Sequence, residues 1–120
     1  MPKTKSSKKV PDRQSRFAKK VPVIDRNVIT EKQALALPRF EFIGHWLEVV
    51  TRTREGRELS QGKRVKRVRG RWQIVYSNGL VEYETSNAAM LFAFARRGPL
   101  GRLIRSAEEF RNIAHQKASQ

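Results

Sequence analysis

A chain of 120 residues with 26 Lys and Arg against 11 Asp and Glu carries a formal net charge of +15. That is more self-repulsion than solubility requires, and it points to an anionic partner. The absence of cysteine excludes disulfides and thiolate metal sites. The N-terminal charge is followed by no apolar core of the signal-peptide kind, and no stretch approaches the roughly 18 apolar residues of a membrane span. The expected setting is cytoplasmic or nucleoid-associated, or inside a nucleoprotein particle, with no membrane partner.

The excess charge is concentrated. Residues 1–20 sum to +7 and residues 61–80 to +6, against 0 for 21–60 and +2 for 81–120. The first block, MPKTKSSKKVPDRQSRFAKK, is too poor in apolar residues to offset the entropy of ordering, so residues 1–20 are expected to be a disordered basic arm. Residues 21–120 are expected to form a single α+β domain.

In chain order, Thr30-Glu31-Lys32-Gln33 has the form of a capping box, and the helix it opens should stop at Pro38. The β-branched and aromatic content of His45 to Thr53 suggests a strand with Leu47, Val49 and Thr51 on one face. Glu55-Gly56 and Gln61-Gly62 bracket what reads as a polar loop.

The stretch from Gly62 to Ser86 reads as a hairpin, 66–76 paired with 80–85, around Asn78-Gly79 as a type I′ turn. That register sets Tyr76 against Val81, Ile74 against Tyr83 and Trp72 against Thr85 on a core face, with Val68 and Gly70 extending it. Arg67, Arg69, Arg71, Gln73 and Val75 take the opposite face, facing Glu82 and Glu84.

A helix follows from Asn87 to Arg97, capped by Thr85 or Ser86 and ended by a left-handed Gly98 and by Pro99. Its sequence AAMLFAFA is apolar nearly all round, so it is either buried on two sides or half of an interface between chains. The tail reads either as a helix capped by Ser106 and Glu109 or as one longer helix from Pro99. The expected fold is thus α+β, a small antiparallel sheet of about three strands packed with one or two C-terminal helices.

Chemistry for catalysis is scarce. His45 and His115 lie far apart in unrelated patterns, and no metalloprotease, nucleophile-elbow or phosphate-loop motif occurs. With arginines opposite them, Glu82 and Glu84 are expected to form ion pairs rather than a metal site. No enzyme activity, metal or cofactor is expected.

Binding chemistry is better supplied. Lys63, Arg64, Lys66, Arg67, Arg69 and Arg71 fall within nine residues. On an extended strand Arg67, Arg69 and Arg71 would project as a comb at about 6.6 Å intervals, near the spacing of successive phosphates. The hairpin's acids reach too few of these cations to neutralise the run. With Lys3, Lys5, Lys8, Lys9, Arg13, Arg16, Lys19 and Lys20 of the arm, they are the expected nucleic-acid contacts. Trp72 and Tyr76 fall on the other face, which favours backbone contacts over base stacking.

The leading expectation is a non-enzymatic nucleic-acid-binding protein, for DNA or RNA, that grips phosphates with the arm and an arginine-rich strand. The alternative is a protein-interaction or structural component of a large nucleoprotein assembly, such as a polymerase regulator or a ribosomal or virion protein. Its arm would contact an acidic partner, and Met90, Leu91, Phe92 and Phe94 would form the partner or homodimer surface.

Overall fold

A computed structural model describes residues 29–119; the basic arm lies outside the described residues. The fold is α+β. Helices α1 (Glu31–Ala36), α2 (Arg39–Val50) and α3 (Arg54–Leu59) precede strands β1 (Arg64–Val68), β2 (Arg71–Val75) and β3 (Val81–Thr85). Helices α4 (Ala88–Ala95) and α5 (Gly101–Ala118) follow. The strands form one antiparallel sheet in the order β1-β2-β3.

The capping box at Thr30 forms as the sequence predicts. The Gln33 side chain accepts from the Thr30 N–H at 2.8 Å, and Thr30 Oγ1 accepts from the Gln33 N–H at 3.1 Å. This satisfies two of the donors that a helix start leaves free.

The strand expected over 45–53 is instead the C-terminal half of α2, which ends at Val50, followed by a turn at 51–53. Phe42, Ile43, Trp46, Leu47 and Val50 are buried at helical spacing, and that stripe outweighs the β-preference of the individual residues. The expected polar loop after it contains α3, capped by Thr53 Oγ1, which accepts from the Gly56 N–H at 3.0 Å. Buried Thr51 ties α2 to the sheet. Its hydroxyl donates to Leu47 O at 2.6 Å and accepts from the Val65 N–H at 3.0 Å.

The long first strand of the expected hairpin is also corrected. It breaks at Arg69-Gly70, where φ is 53° and 80°, into two strands joined by a two-residue loop. Positive φ at both positions is what a type I′ turn needs. The Asn78-Gly79 turn does form, but only Gly79 has positive φ. Tyr76 O accepts from the Gly79 N–H at 2.9 Å and the Tyr76 N–H donates to Leu80 O at 2.8 Å, so the loop is Ser77–Gly79. Trp72 opposite Thr85, Gln73 opposite Glu84 and Ile74 opposite Tyr83 hold, but a bulge then sets Val75, not Tyr76, against Val81. Tyr76, expected in the core, is 41% exposed.

Helix α4 is capped by Asn87 rather than Thr85 or Ser86. Its Oδ1 accepts from the Ala89 and Met90 N–H groups at 2.8 and 3.3 Å. Gly98 does not adopt the left-handed conformation. The tail is the longer of its two expected forms, and Ser106 lies inside α5, donating to Arg102 O at 3.3 Å instead of capping a new helix.

Helices α2 and α4 pack against the sheet, and α5 packs mainly on α1 and α2. The core draws Phe42, Ile43 and Leu47 from α2, Val65, Trp72 and Ile74 from the sheet, and Leu91, Leu100 and Leu103 from the C-terminal helices. Burying each such side chain favours folding by about 1.5–3 kcal/mol. Gly44 lets α2 lie flat on Trp72, since a Cβ there would come within 2.8 Å of the indole.

Candidate nucleic-acid interface

The basic run 63–71 is distributed by the Arg69-Gly70 turn over two strands and two faces, so the expected comb of Arg67, Arg69 and Arg71 does not exist. Arg67 pairs with Trp72 across β1 and β2 and shares the helix-facing side. Its guanidinium carbon lies 4.5 Å over the Trp72 ring, and Nη1 is 3.6 Å from Glu41 of α2. Lys63 is also committed within the fold. Its Nζ is 2.9 and 3.1 Å from the two Glu82 oxygens, with both side chains about four-fifths buried.

The bulge in β3 explains why Glu82 and Glu84 do not act together. Glu82 turns to Lys63 beside Ile74, Phe94 and Ala95, while Glu84 stays with Gln73 and Arg71. Gln73 Nε2 donates to Glu84 Oε2 at 3.2 Å, and Arg71 Nε lies 3.2 Å from the same oxygen. The Gln73 hydrogen bond, followed by the Arg71 interaction, holds the Glu84 carboxyl below the usual carboxylate range.

What remains is a patch. Register puts Arg64 and Lys66 of β1 on the same face as Arg71 and Gln73 of β2, turned away from α2 and α4. Arg69 stands at the adjoining hairpin tip. Arg64, Lys66 and Arg69 have no carboxylate partner among the described residues, and Lys66, Arg69 and Arg71 are exposed. Arg64 is half-buried, with an unpartnered Nε. Residues two apart on one strand are about 6.6 Å apart and neighbouring strands about 4.8 Å, so these cations span a surface two strands wide. Val68 and Tyr76 add partly exposed apolar surface near them.

The apolar helix is less available than its sequence suggests. Leu91 is fully buried in the chain's own core, which removes it from any partner surface. Phe92 packs on Phe40 at 5.1 Å, and Phe94 stacks on Tyr83 at 4.2 Å with rings nearly parallel. Met90, 52% exposed, is the one of the four that projects most into solvent.

Four further cations gather at the junction of α4 and α5, namely Arg96, Arg97, Arg102 and Arg105. None of the four was among the contacts expected from the sequence. The i, i+3 spacing of Arg102 and Arg105 on an exposed helix face was the signal that could have found them.

Among the described residues, no group of three His, Asp or Glu side chains is placed to hold a metal ion, and no helix is long and apolar enough to cross a membrane. The architecture defines the class as a small α+β protein whose sheet turns a basic face away from α2 and α4. No protein-family model matches the chain, and no curated protein or solved structure is significantly similar to it.

Proposed function

We propose that this chain is a non-enzymatic nucleic-acid-binding protein that grips phosphates through the sheet face bearing Arg64, Lys66 and Arg71, the hairpin tip at Arg69 and the basic residues of its first 20 positions. One observation carries the reading. Arg69 occupies a left-handed turn position, φ 53°, that Gly, Asn or Asp would fill at lower cost, and its guanidinium meets no carboxylate among the described residues. A locally disfavoured residue with no carboxylate partner among the described residues is best explained by a contact outside them. Arginine's planar fork suits phosphate oxygens and guanine edges, and Lys66 and Arg71 flank it.

The second reading, a component of a nucleoprotein assembly that contacts a protein partner, draws on a different observation. Leu80, Val81 and Met90 are 64%, 50% and 52% exposed on β3, its turn and α4. Fluorescence anisotropy with duplex DNA, single-stranded DNA and structured RNA across a salt series separates the two. Steeply salt-dependent binding that persists in a chain beginning at Val21 supports the sheet-face reading. Absence of binding to all three probes overturns it and leaves the protein-partner reading.

A further inference from the structure

The groove at the α4–α5 junction is open, about 1170 Å³ in volume, and is lined by Phe92 of α4, Arg96 and Arg97 at its end, and Arg102 and Arg105 of α5. All four arginines are exposed, and none has a carboxylate within ion-pair distance among the described residues. Two carboxylates also line the groove. Glu108 is held by Arg39 through bonds of 2.6 and 2.8 Å, and Glu109 lies one turn beyond Arg105 without pairing to it. Positive charge is therefore in excess there.

The placement of one of these arginines is locally unfavourable. Arg102 is in the first turn of α5, at the positive end of an 18-residue helix whose first turn holds no acid, and Arg105 follows one turn on. Arg96 places its guanidinium carbon 6.0 Å from the Phe92 ring, which also has the Arg39 guanidinium at 5.2 Å. An anion in the groove would answer both the guanidinium groups and the α5 N-terminus. The groove belongs to the helical side of the fold, whereas Lys66 and Arg71 lie on the sheet face turned away from those helices.

We infer that the α4–α5 groove is a second phosphate-backbone contact, and that one chain holds two nucleic-acid segments at once, one on the sheet face and one in the groove. The inference rests on the nucleic-acid-binding reading, and its test separates the two. The full chain is mixed with donor-labelled and acceptor-labelled short DNA duplexes, or with labelled structured RNA if the salt series ranks it first. Energy transfer reports bridging, and anisotropy on one labelled probe reports simple binding.

The triple variant R96Q/R102Q/R105Q should lose most of the energy transfer yet still bind a single probe, and R96K/R102K/R105K should recover much of the transfer. Transfer that is unchanged in the glutamine variant, as bridging by a dimer through its sheet faces would give, overturns the inference. So does a wild-type chain that binds single probes but never bridges them. If the wild-type chain binds no probe, the underlying function fails, and the inference with it.

Discussion

The guanidinium of Arg67 lies 4.5 Å over the ring of Trp72, its cross-strand partner, and reaches Glu41 of α2 at 3.6 Å. One arginine of a dense basic run is thus turned inward to cover a tryptophan that is only 1% exposed. Its neighbours Lys66 and Arg69 are exposed and have no such partners among the described residues. The same run serves the fold with one set of cations and leaves another set to solvent.

This division predicts opposite consequences for adjacent arginines. R67Q should destabilise the fold by about 0.5–1 kcal/mol, through the lost cation–π contact more than the half-exposed ion pair, and leave nucleic-acid affinity nearly unchanged. K66Q should leave the urea midpoint within error, weaken binding to all sequences alike, and flatten the log–log salt slope by about 0.9 on duplex DNA. Equal affinity losses in the two variants would rule out the division.

Glu84 is the acid of the proposed binding face, and it shields Arg71. Removing its charge with E84Q should raise affinity and steepen the salt slope by up to about 0.9, which a salt series measures directly. The carboxyl also has a pH signature. Because its folded value lies below the ordinary one, it stabilises the fold at pH above the ordinary glutamate value expected when unfolded. That contribution fades as the pH falls from there through the folded value. A carboxylate NMR titration should find Glu84 titrating lower than a free glutamate, and Q73A should move it upward, since the Gln73 hydrogen bond is the leading cause.

Thr51 supplies a prediction about the frame that holds the face. Its fully buried hydroxyl is the hydrogen-bond acceptor for the Val65 N–H at the start of β1. T51V keeps the shape but leaves that N–H unpaired in the core, a cost of about 1–3 kcal/mol. T51S keeps the hydroxyl and should lose less. Urea unfolding with unchanged m-values would register the difference as a shift in midpoint. A T51V midpoint equal to that of the wild type would mean the contact contributes nothing.

Features set by adjacent residues were the legible ones. The Thr30 capping box and the pairs Trp72–Thr85, Gln73–Glu84 and Ile74–Tyr83 follow from short patterns that need no tertiary information. Helix α2 was misread because valines and aromatics suggest a strand, although Phe42, Ile43, Trp46, Leu47 and Val50 already had helical spacing. The candidate site was less legible, because neutralisation comes from outside the hairpin register. Glu41 is 26 positions before Arg67, and Glu82 reaches Lys63 only through the β3 bulge. The division of the run also depended on a turn at Arg69-Gly70, and arginine is not a residue that announces a left-handed turn.

That turn gives the most discriminating substitution. Position 69 has φ 53° and precedes Gly70 at φ 80°, the setting in which Asn-Gly is preferred. R69N should relieve a left-handed backbone penalty and stabilise the fold by about 1 kcal/mol. The same change removes an exposed cation from the hairpin tip, so affinity should fall and the salt slope should flatten by about 0.9 on duplex DNA. Thermal or urea unfolding gives the first quantity and anisotropy the second. A gain in stability with loss of binding would show that the arginine is kept at this position for contact rather than for folding. A gain in stability with binding intact would leave Arg69 without a role in the interface, and the case for the sheet face would then stand on Arg64, Lys66 and Arg71 alone.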